Sequence, residues 1–525
     1  MANPYLHACG LPAAWAAQDV WRILDTDWRD DSRFRACRQA WEGDPLKPRV
    51  LHYVGLVTGK SGSLPPGFHR LHFNAGQVLL TLCVGELKPM LHAQDFWADS
   101  IFLDSHKLAV WDDWTIQAML RCCRRGTQLV AAQAEADFQN RLTEHGFEVK
   151  PTSSPNYLQA RFNPRWEIHS TRRKRHHQSM QPAHCVVIGA GLAGASTAVS
   201  LARRGWQVLL LDGAATPATA ASGLPLGLLV PPPAHEQHAR AQLLRTGVAL
   251  TLQQARDHLE IGQDWAPSGI MTTKPGEAAY WEPGAAWIKP YRLVQAWLAQ
   301  PGIQFRGSAH VASMDDASGE WILRDAQNAP LANAGLVVLA CAGGISALLA
   351  GSARIIRQPL EGIHGQVSWA LQQESDLPSL PPFPLNGFGH LVPGVPTDAG
   401  LAWFAGATYS SGNTVPTAAQ GHESSLARLA QLHPPSAKLM AQRMVDRSIQ
   451  AWQGTRFTPQ DRMPVVGQLG ANSSAGQLST LCINSGYGSR GLSWCVLCAE
   501  LLAAQLGNEP LPMPRAWARL LRGAQ

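Results

Sequence analysis

Three glycines, at residues 189, 191 and 194, follow a short apolar run with the spacing G-x-G-x-x-G. In such a turn the first glycine permits a tight bend, the second leaves room for a pyrophosphate, and the third lets a helix lie close to the strand. Asp212 ends the next apolar run, where a carboxylate can accept hydrogen bonds from ribose hydroxyls. Strand, glycines, helix, strand and acid occur in this order between His184 and Asp212, which indicates a dinucleotide site. The alternative is a glycine-rich turn of another α/β fold.

A second glycine-rich turn, from Gly486 to Leu492, lies between another apolar run and a helical pattern. Amides at the start of a helix stabilise negative charge, as on a reduced flavin ring, and this interpretation is favoured because glycine-rich turns begin and end the same domain. The alternative is an ordinary tight turn. Small residues around Ser222-Gly223 suggest backbone close to a ligand. The apolar run from Leu336 that leads into Ala342-Gly343 predicts a buried strand and a glycine turn of the same dinucleotide-binding sheet. The predicted cofactor-binding residues are Gly189, Ala190, Gly191, Leu192, Ala193, Gly194, Asp212, Ser222, Gly223, Ala342, Gly343, Gly486, Tyr487, Gly488, Ser489, Gly491 and Leu492.

The composition limits the class of protein. A chain of 525 residues with 45% hydrophobic and 16% charged residues predicts two or three globular domains. The net charge of +6 favours a polyanionic partner. Ten cysteines do not make a disulfide scaffold, and Cys495 and Cys498 lie in an apolar helical pattern without a second ligand pair, so no metal site is predicted. Neither a signal peptide nor a membrane span is predicted, and a reducing cytoplasm is expected.

The C-terminal half contains a specific set of motifs: Gly189 to Gly194, Ala221-Ser-Gly223, His364-Gly-Gln-Val-Ser368, Gly389-His-Leu-Val-Pro393, Phe404-Ala-Gly-Ala-Thr408, Asp461-Arg-Met-Pro464 and Gly486-Tyr-Gly-Ser-Arg-Gly491. With these motifs it resembles FAD-dependent oxidoreductases of the glycine-oxidase and D-amino-acid-oxidase type. The whole chain resembles, more narrowly, the family of bifunctional tRNA 5-methylaminomethyl-2-thiouridine biosynthesis proteins.

This resemblance implies FAD as cofactor and tRNA as partner. It implies an α/β protein in which a Rossmann-like methyltransferase-type domain precedes a two-domain FAD-dependent oxidoreductase with a βαβ dinucleotide-binding domain and a mixed-sheet substrate domain. The expected boundaries are a methyltransferase-like domain at 1–165, a basic linker at 166–181 and an oxidoreductase at 182–525, with FAD-binding segments at about 182–230, 331–350 and 455–525 and a substrate domain at about 231–330 and 351–454. The basic run could instead bind phosphates, since charge runs of this kind serve either purpose.

In this family the oxidoreductase removes the carboxymethyl group from 5-carboxymethylaminomethyl-2-thiouridine, giving 5-aminomethyl-2-thiouridine at the tRNA wobble position. The methyltransferase then methylates the amine with S-adenosylmethionine. The resemblance implies that the flavin carries out the oxidation and that the protein supplies orientation and electrostatics. Arg490 is expected to contact substrate or flavin, and His364 and His390 are weaker catalytic candidates, because a lone histidine is more often structural.

The N-terminal half departs from the family where S-adenosylmethionine should bind. The family has a glycine-rich loop at the position of Arg22 to Arg29, and an acid after the next strand, which is missing from Tyr53 to Val57. Bulky and charged residues do not let backbone approach a cofactor as glycine does. The sequence therefore predicts a degenerate, inactive methyltransferase half that binds no S-adenosylmethionine and serves as a tRNA-docking or stabilising module.

Three functions follow. The first is a tRNA-modifying FAD oxidoreductase. The second is an FAD-dependent oxidase of a free amino acid or secondary amine, and the third is a non-catalytic FAD-containing tRNA-binding protein. Neither a DNA partner nor a membrane is expected, and the sequence gives no oligomeric state.

Overall fold

The chain forms two compact units. The first comprises Met1–Ala183, Arg203–Gly205 and Glu500–Leu520, and the second comprises His184–Ala202, Trp206–Ala499 and Leu521–Gln525. The computed structural model describes residues 3–58, 64–104, 111–132, 135–150, 157–166, 180–273, 276–317, 319–350, 352, 356–412, 414–470 and 480–522. Most of the predicted basic linker at 166–181 lies outside the described residues.

The first unit is built on an eight-stranded sheet in the order β3-β4-β2-β1-β5-β6-β8-β7. Its strands are β1 (Val20–Asp25), β2 (Val50–Val57), β3 (Gly67–Phe73), β4 (Val78–Val84), β5 (Ala98–Asp104), β6 (Cys123–Ala132), β7 (Phe147–Lys150) and β8 (Tyr157–Phe162). Its helices include α1 (Pro4–Ala8), α2 (Ser32–Gly43), α3 (Leu87–Ala93), α4 (Asp113–Leu120) and α5 (Ala136–Glu144). The five central strands of this order, from β4 to β6, pair in parallel. Strand β3 at one edge, and β8 and β7 at the other, pair antiparallel. Strands β2 and β4 are buried at every residue, as expected for parallel strands covered on both faces.

The first unit also buries a group of six ionisable side chains: His52, Arg70, His72, Arg204, Glu500 and Glu509. Arg204 Nε lies 2.8 Å from Glu509 Oε2, and Arg204 Nη2 lies 3.1 Å from Glu500 Oε2. Arg70 Nη1 lies 3.5 Å from Glu500 Oε2. The segments around residues 204 and 500–509, which the sequence assigns to the oxidoreductase, therefore belong by their contacts to the first unit.

The two arginines of this group balance its two carboxylates only while both imidazoles are neutral. Burial lowers the pKa of His52 to about 4 and that of His72 to about 3, even though Glu509 and Glu500 lie beside them. Protonating either imidazole would add an uncompensated buried charge, which is costly.

We expect the free energy of unfolding of the first unit to fall on mild acidification. Each histidine has a folded-state pKa below its unfolded value of about 6.5, so below that pH the unfolded chain binds more protons than the folded one. Between about pH 7 and 5.5 the loss should be about 1 kcal/mol for each histidine. Denaturant unfolding across this range measures it. A His52→Gln/His72→Gln double variant should lose this dependence, whereas His7→Gln, at an exposed position, should keep it. An unchanged slope in the double variant would contradict the prediction.

The second unit contains the predicted dinucleotide-binding sheet, with six strands in the order β16-β10-β9-β20-β28-β27. The strands of this unit are β9 (His184–Ile188), β10 (Gln207–Leu211), β11 (Gly227–Leu229), β12 (Trp265–Ala266), β13 (Ile270–Thr272), β14 (Tyr280–Glu282), β15 (Ala286–Ile288), β16 (Ile303–Arg306), β17 (Ser313–Ala317), β18 (Glu320–Arg324), β19 (Pro330–Ala334), β20 (Leu336–Leu339), β21 (Glu361–Leu371), β22 (Leu385–Gly387), β23 (Gly389–Thr397), β24 (Gly400–Gly406), β25 (Ser410–Ser411), β26 (Gln450–Thr458), β27 (Val465–Gln468) and β28 (Thr480–Ser485). The remaining helices are α6 (Leu192–Ala202), α7 (Ala239–His258), α8 (Pro290–Leu298), α9 (Ile345–Leu348), α10 (Ala418–Leu432), α11 (Pro434–Val445), α12 (Gly491–Gly507) and α13 (Arg515–Leu520), the last in the first unit.

Five strands of this sheet are parallel, and β27 is antiparallel to β28. Strand β9 lies between β10 and β20, and α6 connects β9 to β10, which is the expected βαβ unit. The larger mixed sheet has the order β14-β13-β22-β23-β24-β21-β25, with β26 also paired to β21. Two three-stranded sheets complete the unit, in the orders β11-β15-β12 and β17-β18-β19. The predicted α/β fold class is confirmed. None of the helices in the described part of the chain has the length and apolar character that crossing a bilayer requires.

Candidate active site

The carboxyl ends of β9, β10 and β20 border a cavity of about 1650 Å³ in the second unit. This volume exceeds the usual size of a small-molecule pocket and leaves room for both a dinucleotide and a substrate. Most of the predicted cofactor-binding residues line it: Gly189, Gly191, Leu192, Ala193, Asp212, Ser222, Ala342, Gly343, Gly486, Tyr487, Gly488, Ser489, Gly491 and Leu492. The others, Ala190, Gly194 and Gly223, are not among the residues that line it.

The first glycine turn has the geometry that a phosphate-binding loop requires. Gly189 has a φ of +106°, and a Cβ there would lie 2.7 Å from the Ala340 carbonyl oxygen. A Cβ on Gly194 would lie 1.7 Å from the Gly189 carbonyl oxygen, so only glycine lets α6 begin this close to the strand. Gly191 faces the cavity, where a Cβ would approach Ser222 Oγ to 2.8 Å. The space beside Gly191 therefore fits a pyrophosphate at the positive end of α6.

Two side chains complete this end of the cavity. The Ser222 hydroxyl accepts a hydrogen bond from the Leu192 amide at 2.9 Å and keeps its own proton to donate to a phosphate. The Asp212 carboxylate accepts from the Ala190 amide at 2.7 Å and from the Ala214 amide at 2.8 Å. These two bonds fix its orientation and leave further lone pairs for ribose hydroxyls.

The second glycine turn presents backbone to the cavity, while its aromatic side chain points into the protein. The Tyr487 hydroxyl donates to Asn484 Oδ1 at 2.7 Å, and Asn484 Nδ2 donates to Thr197 Oγ1 at 2.8 Å. Burial raises the pKa of Tyr487 well above its usual value, so this hydroxyl stays protonated. The turn is thereby held against α6, and the first residues of α12, Gly491 and Leu492, line the cavity. Its amide-rich start suits the pyrimidine side of a flavin.

Two of the three catalytic candidates predicted from the sequence lie at this cavity, and the third does not. Arg490 and His390 line the cavity. Burial, and then the nearby Arg456, lower the pKa of His390 to about 4, so it is neutral at pH 7. His364 lies outside this lining, beside a smaller cavity, where Nδ1 is 2.8 Å from Thr455 Oγ1 and Nε2 is 3.2 Å from the Gly412 carbonyl oxygen. The structure brings Arg490 and His390 to the large cavity and leaves His364 outside its lining.

Sequence reasoning missed Arg456, which lines the same cavity. It lies on β26, where the antiparallel pairing with β21 places it opposite Ile363. Arg456 Nη2 donates to the Thr408 carbonyl oxygen at 2.9 Å, and the guanidinium lies 4.6 Å from the centre of the Tyr409 ring. A single arginine within a strand gives no signal in the sequence, so only the pairing of distant strands could reveal it.

In the first unit, side chains surround the start of the loop that follows β1. The Asp25 carboxylate accepts from Tyr53 Oη at 2.6 Å and from Arg33 Nη1 at 2.7 Å. The Trp28 ring lies 5.9 Å from the Tyr53 ring, edge to face, and a Cβ on Gly55 would come within 2.7 Å of Trp28 Cε3. The ends of β1 and β2 are therefore filled by an aromatic ring and a buried ion pair.

Two family models match different parts of the chain. Residues 184–278 and 270–505 match the family described as FAD dependent oxidoreductase. Residues 57–156 match an S-adenosyl-L-methionine-dependent methyltransferase family. The chain is also similar in fold to fructosamine oxidase (Amadoriase II) from Aspergillus fumigatus, with a TM-score of 0.50 at 14% identity over 66% of this chain and 90% of that one. Fold and site together define an FAD-dependent oxidoreductase joined to a methyltransferase-like unit.

Two relatives match nearly the whole chain. The tRNA 5-methylaminomethyl-2-thiouridine biosynthesis bifunctional protein MnmC of Albidiferax ferrireducens is 43% identical, over 99% of this chain and 95% of its own length. The protein of the same name from Polaromonas naphthalenivorans is 37% identical, over 97% of this chain and 91% of its own. The chain belongs to the family of these bifunctional proteins.

Proposed function

We propose that this protein oxidatively removes the carboxymethyl group from 5-carboxymethylaminomethyl-2-thiouridine in tRNA and leaves 5-aminomethyl-2-thiouridine. The observation that supports it best is Arg456, a cation in the same cavity as the two glycine turns. The group to be removed carries a carboxylate, which a guanidinium binds through two parallel hydrogen bonds. The relatives named for tRNA 2-thiouridine biosynthesis and the net charge of +6 support tRNA as the partner.

In this proposal the side chains bind and orient the substrate. Arg456 holds the carboxylate, and its contacts with Thr408 and Tyr409 fix the guanidinium. Because the carboxylate is held in one position, the amine attached to it is also oriented for the reaction. His390 remains neutral and adds no charge that would compete for the carboxylate. Bound FAD supplies the chemistry by accepting the two electrons of the C–N oxidation. Water then hydrolyses the oxidised carboxymethyl group, which leaves as glyoxylate.

The test is to mix the purified holoprotein anaerobically with three substrates in turn: tRNA carrying the carboxymethylaminomethyl group, free glycine and sarcosine. We expect the modified tRNA to bleach the flavin absorbance and to yield the aminomethyl nucleoside by mass spectrometry. Bleaching by the free amines alone would instead support an oxidase of small amines. Binding of tRNA without bleaching by any substrate would support a non-catalytic flavoprotein.

We infer that the methyltransferase-like unit binds no S-adenosylmethionine. Trp28, Arg33 and Asp25 stand where a cofactor would meet the ends of β1 and β2, and the loop that directly follows β1, residues 26–31, contains no glycine. Calorimetric titration of the holoprotein should show no binding at S-adenosylmethionine concentrations up to about 1 mM. This limit corresponds to a binding free energy weaker than about 4 kcal/mol. S-adenosylhomocysteine should likewise show no binding in this concentration range. Saturable binding in the micromolar range would overturn the inference. A cytoplasmic location and a tRNA-docking role for this unit stay predictions.

A further inference from the structure

We propose that Arg240, Arg462 and Arg490 form a phosphodiester-binding site at the solvent-exposed edge of the flavin cavity, which holds the RNA backbone next to the nucleotide being oxidised. This inference rests on the proposed function. All three arginines line the cavity, and Arg462 and Arg490 are exposed there. They come from three separate parts of the chain: the first turn of α7, the turn after β26 and the second glycine turn.

The described residues leave the three arginines poorly neutralised. The neighbouring carboxylate, Asp461, accepts from Arg357 Nη2 at 2.5 Å and from Gln358 Nε2 at 3.3 Å. Glu236, which also lines the cavity, lies 3.5 Å from His238 Nε2. The buried Nε of Arg240 has no hydrogen-bond partner among the described residues.

The position of Arg240 is itself unfavourable for folding. It is the second residue of a 20-residue helix, whose positive end repels a cation. Partial burial, and then Arg490 and Arg462, lower its pKa below the usual value, and the nearby Asp461 offsets only part of this lowering. A cation that the helix, the burial and two like charges all disfavour would be stabilised by a bound anion.

A backbone phosphate is the anion that this place fits. The cofactor pyrophosphate is accounted for at the start of α6 and the substrate carboxylate at Arg456. Arginine forks bind phosphate oxygens in pairs, and an exposed edge suits a ligand that continues into solvent. An enzyme that acts on a base inside a nucleic acid takes that base out of its stack, which brings the flanking phosphates to the mouth of the pocket. The cluster would therefore favour an RNA-borne amine over a free one.

The test compares Arg240→Gln and Arg462→Gln with Arg256→Gln in the holoenzyme. Arg256 is an exposed arginine near the other end of α7. At about 1.5 Å per residue it lies about 24 Å along the helix from Arg240. For each protein, kcat and KM are measured on modified tRNA and on the corresponding nucleoside, with tRNA kinetics repeated across a range of KCl concentrations. Flavin affinity is measured by fluorescence, which separates an RNA phosphate from the cofactor phosphates as the bound anion.

We expect each cluster variant to raise the KM for tRNA about tenfold and to reduce the slope of log(kcat/KM) against log[salt] by about 0.7 to 1. The preference for tRNA over nucleoside should fall by the same factor, and flavin affinity should match that of Arg256→Gln. If the wild type turns over tRNA but the cluster variants leave the KM and the salt slope unchanged, this inference is overturned while the proposed function stands. Weaker flavin binding with unchanged tRNA kinetics would assign the arginines to the cofactor and also overturn it. A wild type inactive on tRNA would overturn the proposed function and this inference together.

Discussion

Replacing Arg456 with methionine is expected to lower kcat/KM for the modified tRNA by about 10²- to 10³-fold while the flavin stays bound. Losing one partner of a desolvated, hydrogen-bonded charge pair costs about 2–5 kcal/mol, and each 1.4 kcal/mol is a factor of ten. Methionine keeps much of the volume of the side chain but cannot bind a carboxylate. Stopped-flow reduction of the flavin measures the effect. Because the carboxylate contact positions the amine, both binding and the rate of reduction should suffer.

A matched control for this variant is Arg428→Met. The Arg428 guanidinium lies 5.8 Å from the same Tyr409 ring that Arg456 contacts, but Arg428 is not part of the cavity lining. Losing this contact should change kcat/KM less than threefold, since an exposed cation–π contact contributes about 0.5–1 kcal/mol to stability and none to substrate binding. Arg456→Lys, which keeps the charge but not the fork, should recover part of the loss. Equal kinetics for Arg456→Met and Arg428→Met would refute the carboxylate-binding role.

Replacing Gly191 with valine is expected to abolish flavin binding and, with it, all oxidoreductase activity. A Cβ at this position already approaches Ser222 Oγ to 2.8 Å, and the branched methyl groups would occupy the space beside the turn. The backbone here is not left-handed, so the change acts through the loss of room for a phosphate. The purified variant should be colourless, and added FAD should not restore absorbance or activity.

Gly335→Val is the control for a general effect of adding a β-branched side chain. Gly335 precedes β20 in the same unit, and a Cβ there would meet nothing within 4 Å. This variant should remain yellow and active. A Gly191→Val protein that still binds flavin as tightly as Gly335→Val would show that the pyrophosphate does not lie against this turn.

The sequence alone determined the glycine turn between β9 and α6 and pointed to FAD, which the family match supports. The spacing of Gly189, Gly191 and Gly194 imposes a local backbone conformation, and local conformation can be inferred from neighbouring residues. Asp212 and the second glycine turn follow the same logic, because each stands directly after an apolar strand. The absence of glycine from the loop after β1 was equally visible in the sequence.

The tertiary structure alone decided which side chains meet in the cavity. Arg456 reaches it because β26 pairs with β21 across about 90 residues of chain, and His364 turns towards Thr455 because of that same register. Arg240 comes to the cavity edge from an element more than 200 residues away from Arg462 and Arg490. Nor could the sequence show that Trp28 packs against Tyr53 and that Arg33 pairs with Asp25 at the ends of β1 and β2. Strand registers and the convergence of distant elements depend on packing over the whole unit, which local patterns of residues do not encode.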